Sequence, residues 1–138
     1  MPKGLFFPGY GPEDANPDMG DSAITETYGI GGFTMGSSPA VVRFVGADSV
    51  EAAMNYTRDM YEITQGVNSQ LTIPNMDFKG APMGIDIRKV VETGITPVIN
   101  TGMAHKKPGV GQVGAGIVRA PMECFTQALE AFAQAQGL

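Results

Sequence analysis

Cysteine occurs once in this 138-residue chain, at Cys124, so no disulfide can form within it. A lone thiol fits a reducing, cytoplasmic setting. No apolar run approaches the roughly 18 residues of a membrane-spanning helix, and no basic–apolar–small segment of the signal-peptide kind opens the sequence. Bases are scarce as well: nine Lys and Arg stand against fourteen Asp and Glu, a net charge of −5. That balance excludes a general nucleic-acid binder, which carries a basic patch or an alkaline pI.

The few bases are unevenly placed. Residues 1–78 hold three (Lys3, Arg43 and Arg58) against ten acids, net −7, whereas residues 79–138 hold six against four, net +2. An anionic ligand or partner suits the second half. What the chain has in excess is glycine, 19 of 138 residues, about twice the usual share of roughly 7%. With ten prolines added, this predicts a loop-rich fold with close backbone approaches. The length and the 43% apolar content are those of one globular domain, 1–138, with a real core.

Patterning predicts a mixed α/β, α+β domain with short strands and three to four helices. "GLFFPGY" (4–10) reads as a strand end stopped by Pro8 and Gly9, and residues 11–21 as an irregular loop. Asp21 or Ser22 is placed to cap a short helix, followed by a glycine-rich close contact and an apolar element around 39–45. The clearest helix spans 48–66, with Asp48 and Glu51 at capping-box spacing. Its buried face reads as Val50, Ala53, Met54, Met60 and Tyr61, and Gly66 as its stop. "LTIPN" (71–75) predicts a strand, "KGAPMG" (79–84) a turn, and "DIRKVVETG" (86–94) a short helix. Strands are expected over 95–102 and 114–120. A last helix is expected over 121–137, with Met122, Phe125, Leu129 and Phe132 apolar and Cys124 a packed thiol.

The stretch "NTGMAHKKPGVGQVGAGIVRAP" (100–121) holds the only histidine, two adjacent lysines and five glycines. Within it "GVGQVG" matches G-x-G-x-x-G by letter. The dinucleotide fingerprint also needs a preceding strand, a helix opening at the loop and an acid about 20 residues on. None of that context is present, so a nicotinamide cofactor is not expected. The G-K-[ST] ending of a P-loop is missing too. An anion can still be held by consecutive backbone N–H groups with lysines nearby. Such a site would draw on His105, Lys106, Lys107 and Arg119 as cationic or titratable groups. Asn100, Thr101 and Gln112 would serve as neutral partners, and Gly109, Gly111 and Gly114 as backbone. The plain alternative is a tight solvent-facing turn. The acids Glu13, Asp14, Asp18 and Asp21 resemble a calcium loop, but counting from Asp14 its glycine and glutamate positions hold Met19 and Thr25. No metal or cofactor is expected.

Three long strings carry a resemblance: "ANPDMGDSAITETYGIGGF", "RDMYEITQG" and "GIDIRKVVETGITPVINTGMAHKKPGVGQVGAGIVRAPMECFTQALEAF". Together, from Gly4 to about Phe132, the chain is similar to the C-terminal part of the YlbE/YahG-like (AllG) proteins. The resemblance implies the final portion of a longer polypeptide with further N-terminal domains. It also implies a subunit of oxamate carbamoyltransferase in allantoin breakdown, where oxalurate and phosphate become oxamate and carbamoyl phosphate. An FdrA-like partner subunit and a homo- or hetero-oligomer go with it. The other expectation is a noncatalytic assembly domain whose glycines serve close packing. No residue role comes with the resemblance, so His105 as catalytic group and the anion-binding loop rest on residue chemistry.

Overall fold

The computed structural model describes residues 4–17, 22–38, 40 and 49–137. The element expected at 39–45 lies outside the described residues apart from residue 40, as do Asp18, Asp21 and Asp48. The described architecture is α+β: three α-helices, short 3-10 turns and two antiparallel hairpins. Helix α1 (Val50–Ile63) leads into hairpin β1 (Thr64–Ile73) and β2 (Lys79–Ile85). Helix α2 (Ile87–Thr93) then connects to hairpin β3 (Val98–Ala104) and β4 (Gln112–Arg119), and helix α3 (Met122–Gln136) follows. None of these helices is long and apolar enough to cross a membrane.

Helix α1 is capped by Ser49, whose hydroxyl accepts the Ala52 N–H at 3.1 Å. It buries Ala53, Met54, Thr57, Met60 and Ile63. Val50 is instead exposed in the first turn and Tyr61 is half-buried. Gly66 is not the stop: the chain turns from helix to strand at Thr64, and Gly66 lies inside β1. The junction holds without glycine because the Asp86 N–H binds the Ile63 carbonyl at 2.9 Å. The Lys89 ammonium binds the Thr64 carbonyl at 2.6 Å.

"KGAPMG" forms strand β2 rather than a turn. Every strand of a two-stranded sheet has an open edge, where the missing N–H of Pro82 is tolerated. Helix α2 matches its sequence signals: Asp86 caps it at 3.0 Å through the Arg88 N–H, and Gly94 closes it at φ 71. Arg88 also returns its guanidinium to Asp86. Those bonds hold the Asp86 carboxyl down at about 2, against the opposing effect of burial.

Residues 22–38 form two 3-10 turns, Thr25–Tyr28 and Gly31–Ser37, rather than a capped α-helix. Ser22 does not cap a backbone N–H; its hydroxyl donates to the Glu26 carboxylate at 2.8 Å. Glu26 is buried and its second oxygen accepts the N–H of Gly32 at 2.6 Å and of Asn100 at 2.8 Å. This fastens the turns to β3 so closely that a Cβ on Gly32 would stand 2.2 Å from the Val98 carbonyl oxygen. Phe33 then enters the core with Met60, Ile63, Val90, Val98, Ile99 and Val118. Met122 and Phe125 of α3 pack on that cluster, but no residue of α3 is fully buried. Phe132 is 52% exposed, and Cys124 is exposed rather than packed. The periodicity of α3 is amphipathic, yet the described residues only half-cover its apolar stripe, at Met122, Phe125, Leu129 and Ala133.

Gly32→Ala forces backbone against backbone and should cost about 1–3 kcal/mol or more. At Gly66 no heavy atom lies within 4 Å of the added methyl. Gly66→Ala should therefore be neutral, or stabilising by up to about 1 kcal/mol. Urea titrations of both variants check the contrast.

Asp86 makes a second prediction. The Arg88 bonds hold its folded value at about 2, below the ordinary range of an aspartate. Its contribution to stability is thus fully present above about pH 4 and is lost as pH falls through about 2. Melting temperatures across that window should fall less steeply for Asp86→Asn than for the parent chain.

Candidate functional site

The residues singled out in 100–119 all lie on the β3–β4 hairpin, but at four different places along it. Asn100 and Thr101 sit mid-strand, opposite Ile117 and Gly116. The Asn100 N–H is taken by Glu26. Gly114 is buried beneath the N-terminal segment, where Phe6 bridges to it and the Ala115 N–H donates to the Leu5 carbonyl at 3.1 Å. Arg119 ends β4 opposite Val98. It donates to the Thr96 carbonyl at 2.8 Å and to Asp59 at 2.7 Å. Six strand positions separate Val98 from Ala104, which at ~3.3 Å each puts Arg119 roughly 20 Å from the loop.

The loop end gathers His105, Lys106, Lys107, Gly109, Gly111 and Gln112. Gly109 and Gly111 take φ of 82° and 97°, the left-handed conformations that favour glycine. The His105 N–H closes the turn on the Gly111 carbonyl at 2.8 Å. The N–H groups of Gly109, Val110 and Gly111 donate to no acceptor among the described residues. With Val110 and Lys107 exposed, these donors face solvent. Gln112 turns its amide back onto the Gly114 carbonyl at 2.8 Å.

The N-terminal segment straps this loop. Ala15 bridges to His105, and the Asn16 N–H donates to the Ala104 carbonyl at 2.8 Å. The Lys106 N–H reaches the Asp14 carbonyl at 2.8 Å, while its ammonium binds the Glu13 carbonyl. The His105 side chain is only 9% exposed. Its Nδ1 accepts the Lys107 N–H at 2.8 Å, so the proton of the neutral ring sits on Nε2. That nitrogen faces Asp14 Oδ1 at 3.9 Å, and the Tyr10 ring lies edge-on with centroids 6.1 Å apart. Asp14 is itself steadied by the Gly11 N–H at 3.0 Å.

The arrangement is a backbone-donor loop beside the Lys107 ammonium, which has no partner among the described residues, and a histidine held through Nδ1 with Nε2 facing Asp14. Sequence reasoning found the loop and missed the strap. The pairing of 10–16 with 104–106 joins segments some ninety positions apart, and no local pattern announces it. Glu26 was missed for the same reason. Among the described residues no three His, Cys, Asp or Glu side chains converge.

No family model matches this sequence. Over 99% of its length the chain is 62% identical to the oxamate carbamoyltransferase subunit AllG of Escherichia coli, covering 33% of that protein. Over 98% it is 53% identical to the uncharacterized protein YahG of the same organism, covering 28% of it. Along nearly its whole length the chain is thus similar to the AllG and YahG proteins. A crystal structure of a conserved protein of unknown function from Enterococcus faecalis superposes with a TM-score of 0.86 at 53% identity. That match covers 96% of this chain and 32% of the other. The fold is therefore shared with that protein, and the chain spans about a third of the length of these relatives.

The strap gives a direct test. Removing the imidazole in His105→Ala deletes the acceptor for the Lys107 N–H, a bond worth about 1–1.5 kcal/mol. Amide exchange at Lys107 should speed up about tenfold, with the exchange of core amides such as Val90 unchanged.

Proposed function

We propose that this chain forms part of an oxamate carbamoyltransferase-like subunit, acting on oxalurate and phosphate to give oxamate and carbamoyl phosphate. The single observation that carries the reading is the 62% identity to the AllG subunit along nearly the whole chain. On this reading the 138 residues work as one domain, corresponding to the C-terminal portion of longer relatives. They work in the cytoplasm beside an FdrA-like partner, in a homo- or hetero-oligomer that supplies the rest of the substrate contacts.

In the reaction a phosphate oxygen attacks the carbamoyl carbonyl of oxalurate. The C–N bond breaks, and the departing oxamate nitrogen takes up the proton that phosphate brought. Both substrates are anions, and negative charge grows on the carbonyl oxygen during attack. Preorganised N–H donors stabilise such charge. The open donors of Gly109, Val110 and Gly111, with the Lys107 ammonium beside them, are the groups proposed to meet it. Lys106 adds charge while tethered to the strap, and Gln112 holds the start of β4. His105 sets the loop's shape through Lys107, and its Nε2–H is proposed to act as a hydrogen-bond donor that orients the substrate. Asn100, Thr101, Gly114 and Arg119 contribute by holding the hairpin.

The other reading is a noncatalytic assembly domain. The exposed Phe78 and Phe132, at 69% and 52%, favour it. So do Glu13 and Asp14, which bring two acids to the same end of the hairpin.

Titration of the assembled enzyme with phosphate and oxalurate decides between them. Loss of one charge-assisted contact of about 2 kcal/mol weakens binding about thirtyfold. Lys107→Ala should show this loss, and Gly111→Ala should show it through strain at φ 97°. Unchanged affinity in both variants, with melting temperature preserved, would leave the assembly reading.

A further inference from the structure

We propose that the cleft between the 3-10 turns and the bulged strand β1 binds a small uncharged molecule that donates N–H groups, a primary carboxamide or a ureide. The cleft shares no residue with the 105–111 loop, so the inference does not rest on that loop's role. Its volume is about 390 Å³, within the roughly 300–1,000 Å³ of small-molecule sites. One wall comes from residues 29–37 and the other from Gln70, Leu71 and Thr72, with the buried Ile73 and Ala81 between them.

The cleft is built and held open by side chains from elsewhere in the chain. In β1, Asn68 pairs with Ala81 and Thr72 with the adjacent Gly80, so three intervening residues bulge out of the ladder. Such irregularities recur beside binding sites because they re-aim side chains. The buried Asn68 fixes both walls at once. Its amide donates to the Tyr28 carbonyl at 3.1 Å and accepts the Gln70 N–H at 3.0 Å. Asn75 donates to the Gly36 carbonyl at 3.0 Å, and the Thr57 hydroxyl accepts the Gly36 N–H at 2.9 Å. A ligand would therefore meet walls already ordered, which lowers the entropy cost of binding.

The lining dictates the ligand's chemistry. Among the described residues no Asp, Glu, Lys, Arg or His lines the cleft. None of those residues would pair with an ion, and desolvating one without a partner is costly. The Ser37 hydroxyl spends its hydrogen on the Thr34 carbonyl at 2.7 Å, and the Thr34 hydroxyl spends its own on the Gly31 carbonyl at 3.4 Å. Both oxygens are left as acceptors, which calls for a donor on the ligand. Gln70 and Thr72, whose side chains bond to nothing among the described residues, complete the polar set. Ile30 and Leu71 flank it with apolar surface suited to the face of a planar amide.

The test is an NMR titration of the 138-residue chain with biuret, with acetate and methylammonium as charged controls. Biuret should give saturable shifts in the millimolar range at the Gly29 and Ser37 amides and the Gln70 side chain, and the ions should give none. Gln70→Ala and Thr72→Val each remove one hydrogen bond and should weaken binding about three- to tenfold. Melting temperatures serve as the folding control, and Ser37→Ala replaces any variant that does not fold. Absence of saturable shifts up to the solubility of biuret would overturn the proposal. So would shifts untouched by the substitutions, or equal shifts with either ion.

Discussion

The Glu26 carboxylate sits where three segments meet, and much of the rest is arranged around its needs. A buried carboxylate is costly unless its oxygens are satisfied. Here they take the Ser22 hydroxyl and the N–H groups of Gly32 and Asn100. Bonds to a charged acceptor are stronger than neutral ones, so the pairing fixes the 3-10 turns at one height on β3. At that height there is no room for a side chain at position 32, and a Cβ on Gly31 would stand 2.4 Å from the carboxylate itself. The glycine pair is thus a consequence of the acid. Phe33, the next residue, is delivered into the core by the same constraint.

From that joint the two hairpins diverge in character. The β3–β4 hairpin is ruled by backbone: its loop conformation, its strap and its open donors all come from main-chain geometry, with His105 as the pin. The β1–β2 hairpin is ruled by side-chain amides, Asn68 and Asn75, which tie a bulged strand to the turns. Each hairpin therefore presents a different chemistry. One offers donors and positive charge suited to anions, and the other offers neutral acceptors.

The surface of α3 belongs with the length of the relatives. The helix commits Met122 and Phe125 to the core and leaves Phe132 and Cys124 exposed. The relatives are about three times as long as this chain. Apolar surface on a chain that matches only part of its relatives is surface with a further packing role open to it.

What the sequence by itself determined was local. The 3.6-residue periodicity of α1 and α3, the Asp86 and Gly94 boundaries of α2, and the glycine-rich turn between two strands are each written within a few residues. Short-range chemistry is enough to fix them. The long strings shared with the AllG/YahG-like proteins likewise made that similarity legible. What only the tertiary structure decided was every feature that joins distant positions. Thr64 becomes a strand because Asp86 and Lys89 hold the end of α1, not because a glycine stops it. Pro82 lies in a strand because its sheet has an open edge. Cys124 is exposed because no element among the described residues covers that side of α3. The strap over His105 and the cleft walls tied by Asn68 exist only once segments tens of residues apart are packed together. Such pairings are set by which surfaces remain to be buried, and no window of neighbouring residues contains that information.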